Sequence, residues 1–352
     1  MQRHFRLGGG VSPRGTLLRG QAIIEYVLII AVVSLVVAFA GPQVSGAIRN
    51  QFSSISSALA NGVSGTVQRP PAPSTPSQGS GGGSGSGSNN PDKEQKDYLD
   101  DMKTVTGKDP KDWTLEDQKK AAEDIAEKGT ASAAFPKAKD AMDSGTKWSV
   151  TLNDGKTLEY KIIGINHDDL ADGSGKAGLT FMTTSLTFYS RMNATSTTIG
   201  GWEQSELRQK MNGGEIWNLM PSDFQSKVKP VKKLTNNVGG GWENKNAAVT
   251  ATSDKLFLPS VFEILGPQLV ETKNSSWSYY SWAGQEGTQY EAFQGKVRYN
   301  VPTNGYLQIG DPWWTRSTWQ RIDLFSVVAL YGDVGAGVDA TASQCVCPAW
   351  CF

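Results

Sequence analysis

The chain has 352 residues, with 34 basic and 34 acidic side chains and a formal net charge of zero. A neutral balance gives no electrostatic reason to expect a nucleic-acid partner. The three cysteines all lie in the last eight residues and there are only two histidines, which argues against a disulfide framework and against a zinc site.

Residues 19–42 read RGQAIIEYVLIIAVVSLVVAFAGP. Within 22–40 only Glu25, Tyr26 and Ser34 are not plainly apolar. At ~1.5 Å rise per residue, a helix here matches the hydrocarbon thickness of a bilayer. Arg3, Arg6, Arg14 and Arg19 precede it and favour a cytoplasmic N-terminus. A secretory signal would have a shorter apolar core followed by a cleavage site. Here the small residue, Gly20, comes first, so cleavage would free the apolar segment. A carboxylate in the first turn suits the helix dipole. Glu25 is either a tolerated terminal acid of an ordinary anchor or the partner of a neighbouring subunit's free α-amino group.

Gly20, Gln21 and Glu25, the fifth residue after the cut, resemble a type IV prepilin processing site. Glu25-Tyr26 within QAIIEYVLII is similar to the Flp/Tad (type IVb) pilins in particular, and Pro42 falls where many type IV pilins carry a kinking proline. The resemblance covers residues 1–60. It implies cleavage by a prepilin peptidase, methylation, a transmembrane stage, and assembly with other pilin subunits by the pilus machinery. Glu25 would neutralise an incoming N-terminus. Two departures are the leader's length with Pro13, and the large C-terminal extension, since Flp pilins are very short.

Residues 63–92 are a Pro-rich and then Gly/Ser-rich linker that cannot bury enough apolar surface to fold. Residues 93–145 read as charged packing helices forming a stalk. Tyr98, Leu99, Met102 and Val105 make an apolar stripe, Asp112 or Thr114 is the next N-cap, and Gly129 is a stop. From Lys147 the period changes. KWSVTLNDGKTLEYKIIGIN is a hairpin turning at Asn153-Asp154-Gly155, and GLTFMTTSLTF is a further strand. A short helix starts near Ser205 and ends at Gly213, and PSDFQSKVKPV holds a helical turn. KLFLPSVFEILG is a buried strand or strand-turn. Short strands fill 324–331, 334–340 and 344–347.

The fold class is therefore α+β: a long N-terminal hydrophobic α-helix, a disordered linker, a helical stalk and a mixed α+β head. The expected boundaries are leader 1–20, pilin-like helix 21–62, linker 63–92, charged helices 93–145 and ligand-binding head 146–352.

A second resemblance covers 147–352. The segments IIGINHDDLADGSGKAGLTF, GGWEQSELRQKMN, LMPSDFQSKV, DKLFLPSVFEI, PWWTRST and VCPAWCF look like an uncharacterised family of bacterial extracellular domains. It implies a fold similar to the C-type lectin-like fold, with a ligand surface near the C-terminal end.

Trp314, Arg316, Trp319, Arg321, Asp323, Phe325 and Tyr331 are the candidate ligand contacts, because aromatic and Arg side chains dominate contact surfaces. The alternative is that Trp313 or Trp314 is core and Arg316 is buried against a carboxylate. Asp168, Asp169 and Asp172 form a polar turn or supply oxygens to calcium, although EF-hand spacing is absent. Cys345, Cys347 and Cys351 are small buried residues, or one pair including Cys351 oxidises. His167 is remote in sequence and His4 leaves with the leader, so no cysteine has an activating base. No enzyme and no cofactor are expected.

The expected function is a pilin-like surface protein, anchored in the cytoplasmic membrane or assembled into a pilus. Its extracytoplasmic head would bind a surface glycan or protein. The alternatives are a pseudopilin or scaffold of a secretion system, and a membrane-anchored surface protein without a filament.

Overall fold

The computed structural model describes residues 91–240, 244, 247–271, 282–299, 301 and 303–352. The chain divides into two units, Met1–Gly85 and Ser86–Phe352, and the described residues belong to the second. The expected leader, the hydrophobic segment and nearly all of the linker lie outside the described residues. So do Gly20, Gln21, Glu25, Tyr26 and Pro42.

Three helices come first. Helix α1 (Pro91–Gly107) buries Met102 and Val105 but leaves Leu99 57% exposed, so its apolar stripe is narrower than the sequence suggests. Helix α2 (Leu115–Lys128) begins at Thr114, whose hydroxyl accepts from the Asp117 amide while the Asp117 carboxylate accepts from the Thr114 amide. This reciprocal capping box satisfies two otherwise orphaned donors. Helix α3 (Phe135–Ser144) stops at Gly145, which takes the left-handed conformation that a glycine cap provides.

These helices are not a stalk standing apart. They form a layer against the sheet of strands β1 (Lys147–Thr151), β2 (Thr157–Ile165), β3 (Leu179–Thr183) and β11 (Ala349–Cys351), in the order β1-β2-β3-β11. Trp148 Nε1 donates to the Pro110 carbonyl at 2.8 Å, and Tyr160 OH donates to Gln118 Oε1 at 3.1 Å. At Gly178 an added Cβ would lie 1.8 Å from the Ala122 carbonyl oxygen, so only glycine permits this helix-to-strand approach.

The second sheet has the order β4-β10-β7-β8-β9: β4 (Phe188–Ser190), β10 (Gln344–Val346), β7 (Trp313–Thr318), β8 (Leu324–Val328) and β9 (Val334–Asp339). A two-stranded ribbon pairs β5 (Val231–Asn236) with β6 (Val249–Asp254). Short helices α4 (Glu206–Asn212), α5 (Glu215–Leu219), α6 (Ser222–Lys227), α7 (Val261–Leu265) and α8 (Gln268–Glu271) fill the connections. The last strand lies in the core. Trp350 stacks on Phe181 at 5.9 Å and meets Tyr160 and Phe224 edge-on, each at 5.0 Å. Such pairs add to the area term of burial.

This arrangement corrects the expected fold class. Among the described residues no helix is long and apolar enough to cross a membrane. The described chain is a β-rich domain of three sheets, not a long N-terminal hydrophobic helix followed by a stalk and a separate head. KLFLPSVFEILG is also corrected: it is extended only to Ser260 and then turns into α7, which Ser260 and Glu263 cap reciprocally.

Candidate functional site

The centre of the domain is a chain of alternating charges. The backbone leaves β2 through Asn166, which adopts a left-handed φ of 52° that asparagine tolerates. Asp168 follows and is buried. On β5 the alternation of a strand sends Lys233 inward and Lys232 outward. Lys233 Nζ donates to Asp168 Oδ1 at 2.6 Å, to Glu263 Oε1 at 2.6 Å and to Tyr290 OH at 2.9 Å. Glu263 sits at the third position of α7, where its other oxygen caps the Ser260 amide and pairs with Arg316. Arg316 is fully buried in the middle of β7. Its remaining donors reach Thr235 Oγ1 at 2.8 Å and the carbonyls of Leu258, Leu234 and Glu286 at 2.8, 3.0 and 2.8 Å.

A third buried carboxyl, Glu286, accepts from the Asn236 amide at 2.9 Å and bonds to the Ser317 hydroxyl. Asp168, Lys233, Glu263 and Arg316 already balance in charge, so burial pushes the Glu286 pKa up to about 7, against the pull of Arg316, Ser317 and Asn236. Burial also acts on Asp168, but Lys233, His167 and Thr180 outweigh it and hold this carboxyl well below the usual range. Burial acts on Glu263 in the same sense, and there Arg316 and Lys233 outweigh it and lower the pKa. Burial draws the His167 pKa down, but the bond to Glu291 and the neighbouring carboxylates raise it overall. The imidazole bonds Glu291 through Nδ1 (3.0 Å) and Thr288 through Nε2 (3.1 Å), and stacks on Tyr290 at 4.2 Å.

Over this floor opens a cleft of about 200 Å³, lined by His167, Asp169, Lys176, Lys232, Gly287 and Thr288 above Asp168, Lys233 and Glu263. The acidic turn does not converge on a cation site. Asp168 is taken by Lys233 and Thr180, Asp169 by Lys176, and Asp172 by Ser174. Among the described residues no group of three or more His, Cys, Asp or Glu is arranged to hold a metal ion.

The sequence-derived ligand contacts separate into two sets. Trp314, Arg316 and Phe325 are fully buried and face no ligand. Trp314 Nε1 donates to the Ser190 carbonyl at 2.9 Å, so the tryptophan ties β7 to β4. Trp319, Arg321 and Asp323 come together at the β7–β8 turn, where Arg321 pairs with Asp323 and Trp319 is half-buried with its Nε1 bonded to the Gly335 carbonyl. Tyr331 is exposed but sits on the β8–β9 turn at the opposite end of β8. Two residues missed from sequence join the first turn. Ile322 is 54% exposed and Ile199 is 64% exposed. Thr198 holds their loops together by donating its amide and hydroxyl to the Ile322 carbonyl, at 2.6 and 2.8 Å.

The three cysteines are buried and free. Cys351 Sγ lies 3.3 Å from Thr180 Oγ1 and 3.6 Å from Asp168 Oδ2. Burial, with Asp168 adding to it, raises the Cys351 thiol well above its ordinary pKa.

Residues 177–351 match a family described as a domain of unknown function, DUF6273. No curated protein and no solved structure matches the chain.

Proposed function

We propose that the protein is a pilin-like surface protein, processed after Gly20, whose β-rich domain recognises a protein partner through the β7–β8 turn. The observation that carries the recognition half is that two loops, tied by the Thr198 bonds to the Ile322 carbonyl, each present an isoleucine that is more than half exposed, Ile199 and Ile322. Isolated exposed apolar residues are ordinary, whereas a contiguous apolar patch rimmed by polar groups marks an interaction surface. Trp319 and the Arg321–Asp323 pair supply that aromatic and charged rim. The N-terminal half rests on the sequence around Gly20, Gln21, Glu25 and Tyr26. Methylation of the new N-terminus and its pairing with Glu25 belong to the same proposal.

The test replaces Ile199 and Ile322 with Asp in one chain and measures attachment of cells that display equal amounts of it. Both positions are exposed, so folding is retained. Losing two central contacts worth ~1–2 kcal/mol each lowers attachment by about tenfold or more. Unchanged attachment at equal display contradicts the assignment of this surface.

A further inference from the structure

The cleft above the charge chain shares no residue with the β7–β8 turn, and its groups are unequally satisfied. Lys233 has all three of its protons engaged by Asp168, Glu263 and Tyr290. Lys176 bonds Asp169 at 3.0 Å and the His167 carbonyl at 2.8 Å. Lys232 is exposed on the cleft, and among the described residues its ammonium has no partner. The backbone amides of Gly287 and Thr288 also have no acceptor among the described residues. Gly287 has a φ of 118°, and an added Cβ there would lie 2.7 Å from Glu263 Oε1. Only glycine lets the backbone lie this close to the buried carboxylate.

One free ammonium and two consecutive free amides are the elements of an anion site. We infer that this cleft binds the carboxylate of a small hydroxyl-rich acid, of the kind presented by a uronic-acid sugar. The charge count selects a monoanion. The cations Lys233 and Lys176 are already neutralised, so a dianion would face Asp168, Asp169 and Glu263 with a single free cation to hold it. The remaining groups suit hydroxyls rather than an apolar body. Asp169 and Thr288 are exposed on the cleft; beside the Lys176 bond to Oδ1, Asp169 keeps its second carboxylate oxygen for a sugar hydroxyl, and the Thr288 hydroxyl, bonded to His167 Nε2, has capacity for one further bond.

The experiment titrates the detergent-solubilised full chain with glucuronate, glucose and inorganic phosphate, and repeats the glucuronate titration with Lys232→Ala and with Lys139→Ala, an exposed lysine of α3 outside the cleft lining, as a control. Glucuronate binds more tightly than either comparator. Lys232→Ala weakens it by about tenfold, the size expected for one charge-assisted contact, while its melting temperature and the Lys139→Ala affinity stay at the parent values. Equal affinity for glucuronate and glucose, tighter binding of phosphate, no binding of any probe, or undiminished binding by Lys232→Ala overturns the assignment.

Discussion

Replacing Arg316 with Met lowers the stability of the β-rich domain by about 3–5 kcal/mol, because one member of a buried ion pair disappears while the other stays. The loss is large against the ~5–15 kcal/mol that holds a typical domain together. Without the guanidinium, Glu263 shares Lys233 with Asp168, and the carbonyls of Leu258, Leu234 and Glu286 lose a donor in the core. Arg316→Lys gives little rescue, since a single ammonium cannot reach groups that a planar fork spans. Combining Arg316→Met with Glu263→Gln restores part of the loss by removing the uncompensated charge, while the new amide oxygen can still cap the Ser260 amide. The check is the urea midpoint of the three variants. An Arg316→Met domain within about 1 kcal/mol of the parent would contradict the charge chain as the centre of the fold.

The parent domain is most stable on the acid side of neutrality, and Glu286→Gln removes much of the decline above it. Glu286 in the folded chain ionises near pH 7, well above its ordinary value. Below the ordinary glutamate pKa both folded and unfolded chains hold the proton, and the full contribution is present. As pH rises toward 7 the folded chain keeps a proton that the unfolded chain has released, so stability falls. The total loss levels off at about 3 kcal/mol, the shift multiplied by ~1.4 kcal/mol per unit. His167, whose folded pKa is also raised, loses its contribution in the same direction. Asp168 and Glu263 act oppositely: their folded values are lowered, so their contribution is lost as pH falls through the acid range. The maximum therefore lies near pH 5. A glutamine side chain can accept from the Asn236 amide and donate to Ser317 without carrying charge. Urea unfolding at pH 5 and pH 8 shows the difference: Glu286→Gln matches the parent at the lower pH and exceeds it by ~2–3 kcal/mol at the higher. Parallel pH profiles for the two proteins would mean that Glu286 does not hold the extra proton.

What the sequence revealed follows from local chemistry. The β1–β2 hairpin was legible because Asn153-Asp154-Gly155 interrupts two alternating runs, and the strands pair across that turn. The starts of α2 and α4 were legible because Thr114 and Ser205 are side-chain caps. The β5–β6 ribbon escaped because its inward positions include a charged residue, Lys233, which breaks the apolar alternation. Strand β7 escaped because both of its faces are buried, leaving no alternation to read. Helix α7 lay inside an apolar run too short for its period to decide between helix and strand, although Ser260 and Glu263 are a capping-box signal.

The site was less legible than the fold. Asp168, Lys233, Glu263, Glu286 and Arg316 come from five separate segments, and only tertiary packing brings them together. The available signal was a lone acid in an oily run, Glu263 within LFLPSVFEIL, and a lone Arg after Trp313-Trp314. Both are residue types that rarely enter a core unpaired. Of the two sequence readings of Arg316, a surface contact or burial against a carboxylate, the second is the one found, whereas Arg321 and Trp319 do reach the turn beside which Ile199 and Ile322 are exposed.

The central functional claim is that this domain is carried by a processed, exported subunit. The most direct measurement is N-terminal sequencing of the chain recovered from sheared extracellular material and from the membrane fraction. Processing after Gly20 predicts a start at Gln21 in the sheared material, and retention of the uncleaved chain in the membrane for Gly20→Ala. A start at Met1, found only in the membrane, would contradict the processed subunit and remove the role proposed for Glu25.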